Sequence, residues 1–156
     1  MEKIRIIELP KCKMVSSGCD TVSDFAPGGI LDRFDKWFSE VDAQRKDKFY
    51  PRDFLWFNEQ EGGFVWYYAV EDLNVDTDGF EVVDFEGGLY AVATSIDGDE
   101  ENSSRVYHGI RDWVINSEHF EIDEERSSLG HIITPPTAIK VMGYGQMENY
   151  IPIKVK

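Results

Sequence analysis

The chain has 156 residues, 30 of them acidic and 16 basic, which gives a formal net charge of −14 at pH 7. A field of that sign repels phosphate backbones and anionic lipid headgroups, and no cluster of Lys and Arg interrupts it. We therefore expect no direct binding to nucleic acid or to a membrane. The length fits one domain, and the apolar content of 42% predicts a folded chain with a substantial core.

The cysteines and the N-terminus bear on the compartment. Met1–Arg5 contains no apolar signal core, and nowhere do 18 apolar residues run together. Cys12 and Cys19 have neither C-x-x-C spacing nor histidine partners at zinc spacing. The three histidines, His131 among them, show no ligand spacing and are expected at the surface or at helix ends. We expect a cytoplasmic, reduced protein that needs no metal and no cofactor.

The first half of the chain predicts a strand, a helix and a strand pair. Ile4–Ser17 is rich in β-branched and aliphatic residues and is predicted to form one strand with a bend at Pro10. Ile30–Arg45 is predicted to be a helix, because apolar residues recur every three or four positions along it. Phe54–Glu59 and Phe64–Val70 are predicted to be strands joined by a hairpin loop.

The second half predicts the same kinds of element, with a short helical turn before the last strand. In order they are a strand region Phe80–Ile96 interrupted at Gly87-Gly88, a helix Arg105–Asn116 capped by Ser103 or Ser104, one strand within Phe120–Ile133, and a helical turn that Pro135-Pro136 start and Gly143 ends.

The last strand, Met147–Val155, has two distinct faces. Ile151 and its period-two neighbours form an apolar face, whereas Glu148 and Tyr150 lie on the other. A carboxylate beside an aromatic ring suits a pocket for a flat or cationic organic molecule. The alternative is an exposed, charged strand face.

The chain also repeats itself. Phe34-Asp35-Lys36-Trp37 aligns with Ile110-Arg111-Asp112-Trp113, and the surrounding elements give pseudo-repeats of about 1–75 and 76–156. Each repeat is a strand, a helix and two strands. We therefore predict an α+β fold in which two such units form a curved, mostly antiparallel sheet, with helices on one face and a ligand cleft on the other.

Four segments resemble a known family, and the closing Glu-x-Tyr-Ile-Pro-Ile-Lys is the most specific of them. The segments are Phe64–Val70, Gly87–Val92, Val106–Trp113 and Glu148–Lys154. Together they resemble the GyrI-like small-molecule-binding family, which also supplies the effector-binding domain of AraC- and MerR-type transcription regulators. The resemblance implies a single domain of this kind over residues 1–156. It also implies a stand-alone protein, because the helix-turn-helix domain of the regulators has no counterpart in this sequence.

In that family a duplicated strand-helix-strand-strand unit forms a cleft for bulky, often cationic, aromatic compounds. The family's acidic pocket residue falls on Glu148, and its aromatic walls fall on five rings of this chain. The implied ligand-binding residues are therefore Glu148, Tyr150, Trp66, Tyr68, Tyr90 and Trp113.

Two aromatic strand positions have competing interpretations. Trp66 and Tyr68 share one face of their strand, and Val65 and Tyr67 share the other. Because small residues suit packing against a helix, the ring-rich face is predicted to line the cleft; the alternative places these rings in the core. Trp37, on a helix stripe, is predicted to be core.

Three functions follow from these residues. The first is stand-alone binding of hydrophobic or cationic aromatic small molecules. The second is hydrolysis of strained electrophilic toxins, with Glu148 as the acid–base group and Trp66 or Trp113 steadying positive charge. The third is an acidic inhibitor module that binds a protein partner such as a DNA enzyme. A monomer and a dimer are both compatible with the sequence.

Overall fold

The computed structural model describes residues 3–22 and 25–156 and has the predicted α+β class. Its elements, in chain order, are β1 (Arg5–Leu9), β2 (Cys12–Asp20), α1 (Ile30–Ala43), β3 (Asp53–Asn58), β4 (Gly63–Tyr68), β5 (Glu81–Phe85), β6 (Gly88–Ile96), α2 (Glu100–Ile115), β7 (Phe120–Ile122), β8 (Leu129–Ile132), α3 (Pro136–Met142) and β9 (Gln146–Val155). None of the helices described has the length and apolarity that a membrane crossing requires.

The chain groups into two compact units. Lys11–Glu86 forms the first, which we call the 11–86 unit; Met1–Pro10 and Gly87–Lys156 form the second, which we call the 87–156 unit. The strand order is β3-β4-β2-β5 in the 11–86 unit and β1-β6-β9-β8 in the 87–156 unit, where β7 also pairs with β9. These pairs are antiparallel, as predicted.

Both units repeat the predicted strand-helix-strand-strand order. In the 11–86 unit this is β2, α1, β3 and β4. In the 87–156 unit it is β6, α2, β8 and β9, with β7 added after α2 and α3 added before β9. Each first strand also pairs with a further edge strand, β5 or β1 respectively. The assignment of residues 1–156 to a single domain stays a prediction.

Two predicted long strands are each two strands. Ile4–Ser17 divides into β1 and β2 around Pro10, which has no N–H to continue a ladder. Phe80–Ile96 divides into β5 and β6 at Gly87 and Gly88, whose φ angles of 68° and 120° fall in the region that favours glycine. A glycine pair read as an interruption within one strand is therefore the boundary between the two units.

The prediction was also wrong about one strand and one helix start. Phe120–Ile133 contains β7 and β8, separated by the polar stretch 123–128. Helix α2 begins at Glu100, and its N-cap is Asp99, whose side chain accepts a hydrogen bond from the Asn102 N–H at 2.9 Å. Ser103 and Ser104 therefore lie inside the helix. Helix α3 ends as predicted, at Gly143 with φ of 84°.

The core of the 87–156 unit lies between α2 and one face of β6 and β9. Small residues on β6, Ala91 and Ala93, let the helix approach closely, and the larger side chains of Ile151 and Ile153 fill the space beside them. The helix contributes a fully buried stripe of Val106, Ile110 and Val114.

The core of the 11–86 unit is largely aromatic. Phe34, Trp37 and Phe38 of α1 pack against Val15 of β2 and Tyr68 of β4. Phe38 and Tyr68 stack with ring centroids 5.3 Å apart and planes 14° apart. The assignment of Trp37 to the core is therefore confirmed.

Candidate functional site

The strand register of the 87–156 unit collects a set of polar and aromatic side chains on the face opposite α2. Glu148 of β9 is paired with Thr94 of β6 and with His131 of β8. Two residues further along, Tyr150 is paired with Val92. Directly paired residues point to the same side of a sheet, and α2 packs on the alternating residues. The face of this sheet opposite α2 therefore carries Glu148.

Glu148 is a fully buried carboxylate, and its partners include a neutral hydroxyl and a charged guanidinium. The Tyr150 hydroxyl donates a hydrogen bond to its Oε1 at 3.1 Å. The Arg5 guanidinium, on β1, donates through Nη2 to its Oε2. The Arg5 side chain is 49% exposed, whereas that of Glu148 is 1% exposed. A buried carboxylate needs such partners, because an uncompensated charge in the interior is costly.

Aromatic rings pack around this carboxylate. Tyr150 meets Tyr90 edge to face, with ring centroids 5.8 Å apart and planes at 78°. It meets His131 in the same way at 6.1 Å and 83°. All three rings are at most 2% exposed. The expectation that His131 lies at the surface or at a helix end is therefore wrong, since it lies within β8 beside Glu148.

Arg126 holds Tyr90 in place from the stretch between β7 and β8. Its guanidinium carbon lies 4.7 Å from the centre of the Tyr90 ring, and its Nε donates to Asp123 at 2.8 Å. Burial raises the pKa of the Tyr90 hydroxyl, and the nearby Arg126 charge opposes that shift. A Cβ on Gly88 would lie 2.7 Å from Arg126 Nη1, so glycine makes room for the guanidinium. The remaining donors of Arg126 bind the main-chain oxygens of Gly87, Leu89 and Ile153.

The ring-rich face of β4 packs against helix α1, so the prediction that a helix avoids this face is wrong. Trp66 meets Phe38 edge to face at 5.0 Å, and Tyr68 stacks on the same ring. The Tyr68 hydroxyl donates to Asp42 Oδ1 at 2.9 Å. Aromatic residues can pack on a helix as well as small ones when the helix itself presents rings, as α1 does with Phe34. A role for Trp66 and Tyr68 in ligand binding stays a prediction.

The helix-free face of the same strand pair carries different rings, which the sequence reasoning missed. Tyr67 of β4 and Trp56 of β3 lie on it with centroids 5.8 Å apart. Period-two alternation separates the two faces of β4 but does not say which one a helix covers. The aromatic residues of helix α1 were the available signal, because they predict a wide, ring-lined partner surface.

Trp66 also shields a carboxylate. Its indole Nε1–H donates to Asp53 Oδ2 at 3.0 Å. Burial raises the pKa of Asp53 to about 6, and this hydrogen bond moderates the shift. Asp53 is therefore close to half protonated near pH 6 in the folded protein.

Trp113 does not join the cluster around Glu148. It lies on α2, which packs on the other face of the sheet, and its side chain stacks on Phe120 at 6.3 Å. It is 38% exposed, whereas Trp37, its counterpart in the repeat, is 8% exposed. A ligand contact by Trp113 stays a prediction.

The 11–86 unit contains a cavity of about 870 Å³ beside α1. The rings of Trp37, Tyr68 and Phe80 line it, together with charged side chains of both signs. The volume is in the range of small-molecule sites. Tyr68 is the one predicted site residue that lines it.

Two arginines that contact Glu148 or Tyr90 in the 87–156 unit, Arg5 and Arg126, were not predicted to belong to the site. Arg5 is 143 positions from Glu148 in sequence, and no local pattern reveals such a pairing. Within residues 3–22 and 25–156, no three or more His, Cys, Asp or Glu side chains are placed to hold a metal ion.

Comparisons with known proteins identify the fold. No protein-family model and no curated protein matches the chain. Among solved structures, the EcmrR C-terminal domain matches with a TM-score of 0.66 and 13% identity, covering 99% of this chain and 98% of that one. SAV2435 bound to tetraphenylphosphonium matches with a TM-score of 0.60 and 12% identity, covering 97% and 94%. A hydrolase from Listeria innocua matches with a TM-score of 0.63 and 12% identity, covering 98% and 92%.

These identities are too low to carry a function across, but the coverage extends over almost the entire chain. The resemblance stated from the sequence motifs is thereby confirmed for the fold: this chain has the GyrI-like fold.

Proposed function

We propose that this protein binds hydrophobic small molecules that carry a positive charge, with Glu148 as the counter-charge. The observation that supports this most directly is a fully buried carboxylate set among tyrosine rings on the sheet face opposite α2. SAV2435, which has the same fold, is bound to tetraphenylphosphonium, a lipophilic cation with four phenyl groups.

The chemistry of the cluster fits such a ligand. A desolvated cation over an aromatic face is stabilised by about 2 kcal/mol. Removal of apolar ligand surface from water contributes roughly 25 cal/mol per Å² in addition. A carboxylate in an interior of low dielectric adds an attraction that a neutral compound of the same shape lacks. Affinity should therefore depend on both the size of the apolar groups and the charge.

The test is calorimetric titration with tetraphenylphosphonium and with neutral triphenylphosphine oxide. The proteins are the wild type, Glu148→Gln, and the control Glu121→Gln, which removes a half-exposed strand carboxylate paired with Lys154 at 3.6 Å. We expect Glu148→Gln to weaken binding of the cation about tenfold or more, equal to roughly 1.4 kcal/mol. Binding of the neutral compound should change little, and Glu121→Gln should behave as wild type.

Equal affinity of the wild type and Glu148→Gln for the cation would show that this carboxylate has no part in recognition. Absence of binding by either compound would contradict the proposed function and favour a protein partner instead.

A second candidate is hydrolysis of a strained electrophile, and one observation favours it. His131 is paired directly with Glu148, so the cluster contains two ionisable groups rather than one. In epoxide hydrolysis, for example, one group would take a proton from water as its oxygen attacks carbon, and the other would protonate the departing ring oxygen to give a diol. Trp113 lies on the other face of the sheet and does not contribute to this arrangement.

The hydrolase candidate is tested by incubation with styrene oxide and chromatographic detection of phenylethanediol. Catalysis requires that diol form above the uncatalysed rate and that both Glu148→Gln and His131→Gln abolish the excess. Diol formation equal to a protein-free control would exclude this substrate class.

A further inference from the structure

We propose that Arg5 is an internal competitor for the cation site: its guanidinium occupies the position beside Glu148 that the charged group of a ligand takes, and a cation binds by displacing it. This inference rests on the proposed function and names the residue that sets the charge selectivity of the same site.

The strand order places the Arg5 side chain on the surface where a ligand would lie. Arg5 on β1 is paired with Val92 of β6, and Glu148 on β9 is paired with the neighbouring Thr94 of β6. Adjacent strands are about 4.8 Å apart, so the two backbones are separated by roughly 10 Å across β6. The ion pair between the side chains spans this gap only if Arg5 extends over β6. A ligand that contacts Glu148 from this side must move Arg5.

Arg126, the cation that packs on Tyr90, already has four hydrogen-bond acceptors of its own. Arg126 donates to the Asp123 carboxylate and to three main-chain oxygens. It sits over Tyr90 rather than against Glu148. The Arg5 guanidinium, in contrast, donates to the Glu148 carboxylate, to which the Tyr150 hydroxyl also donates a hydrogen bond. Loss of Arg5 would remove a positive partner of a buried carboxylate and so favour binding of another cation or a proton there.

The two partners differ greatly in how easily they can leave. Glu148 is fixed within β9 and fully buried, whereas half of the Arg5 side chain is exposed on an edge strand of its unit. A released guanidinium regains water at once, and a long, flexible side chain needs no backbone movement to swing away. Binding of a cation is thus an exchange of one positive group for another. A neutral compound gains no attraction to Glu148 from the same exchange.

The experiment compares Arg5→Gln with the wild type by calorimetric titration with tetraphenylphosphonium and triphenylphosphine oxide. We expect Arg5→Gln to bind the cation about tenfold more tightly and the neutral compound with less than roughly a twofold change. The double variant Arg5→Gln, Glu148→Gln should lose the gain. Lys13→Gln is the matched control, because Lys13 is another strand cation paired with a carboxylate, Asp84. It should leave both affinities unchanged.

Arg5→Lys serves as a second variant that keeps the charge and thus the fold. Its ammonium is a shorter, single-point donor. We expect an affinity for the cation between those of the wild type and Arg5→Gln. In thermal melts, the cation should raise the midpoint of Arg5→Gln by more than that of the wild type, because it restores the lost partner of Glu148.

The outcomes separate this inference from the proposed function. Binding of the cation by the wild type with equal or weaker affinity in Arg5→Gln and Arg5→Lys would overturn the role of Arg5 and leave the proposed function standing. Binding by Arg5→Gln but not by the wild type would contradict both, because a cation would then fail to displace Arg5 from Glu148 in the native protein. Binding by none of these proteins would overturn both.

Discussion

Replacement of Tyr68 tests most sharply whether the ring-rich face of β4 is core. Tyr68 is 1% exposed, stacks on Phe38, meets Trp37 edge to face at 6.1 Å and donates a hydrogen bond to Asp42. Truncation of a buried aromatic side chain to alanine costs about 3–5 kcal/mol. The hydrogen bond adds roughly 1 kcal/mol, since Asp42 is partly exposed and regains water when its partner leaves. We therefore expect Tyr68→Ala to lower the free energy of unfolding by about 4–6 kcal/mol.

The assay is urea unfolding followed by far-UV circular dichroism, with two variants for comparison. Tyr68→Phe keeps the stacked ring and should cost about 1 kcal/mol, the share of the hydrogen bond alone. Tyr144→Ala removes a tyrosine that is 43% exposed and should cost less than about 0.5 kcal/mol. A cost below about 1 kcal/mol for Tyr68→Ala would refute the reasoning, because a ring that lines an open cleft can be removed without loss of core packing.

Three further changes probe other parts of the structure. Asp53→Asn should raise the free energy of unfolding at pH 7 by at most about 3 kcal/mol, because the folded-state pKa of about 6 lies above the usual 3.8. The folded wild type then binds more protons than the unfolded chain between pH 4 and 6, so its stability falls as the pH rises through that window. The same dependence of the free energy of unfolding on pH in the wild type and in Asp53→Asn would contradict this. Gly88→Ala should lower the free energy of urea unfolding by about 2 kcal/mol or more, since the added Cβ meets the Arg126 guanidinium at a positive φ. A loss under about 0.5 kcal/mol would show that Arg126 moves aside freely. Asp99→Ala should lower the free energy of unfolding by about 1 kcal/mol because it removes the N-cap, whereas Ser104→Ala should lower it little. A larger loss for Ser104→Ala than for Asp99→Ala would support a serine as the N-cap.

The faces of β9 could be predicted from the sequence because a single property decides them. Period-two alternation separates Ile151 and Ile153 from Glu148 and Tyr150, and the structure places the first pair against α2 and the second pair on the opposite face. An amphipathic strand leaves no other arrangement, since a shift of one residue would bury the wrong set.

The start of α2 was missed although the sequence contains its signal. Asp99 is a strong N-cap residue, and Glu100 and Glu101 follow it in the first turn, where carboxylates are favoured by the helix dipole. The predicted helix, Arg105–Asn116, leaves these acidic residues outside it. The apolar stripe that begins at Val106 indicates where the helix becomes buried, and a helix can begin well before that point.

The contacts of Glu148 could be predicted only in part. Its aromatic neighbour Tyr150 is two residues away on the same strand, and local periodicity is sufficient to place it. Arg5 and His131 reach Glu148 through strand pairing, which depends on register between distant segments. A single sequence does not show which distant segments pair with each other or in which register they do so.

The most direct test of the account is to locate the ligand. Backbone amide shifts of the isotopically labelled protein would be followed by NMR as tetraphenylphosphonium is added. We predict the largest changes at Tyr90, His131 and Tyr150. They should reach half of their full size at a free ligand concentration equal to the dissociation constant found by calorimetry, and they should be lost in Glu148→Gln. Changes confined to the cavity that Trp37 and Phe80 line in the 11–86 unit would contradict the account and place the ligand there instead.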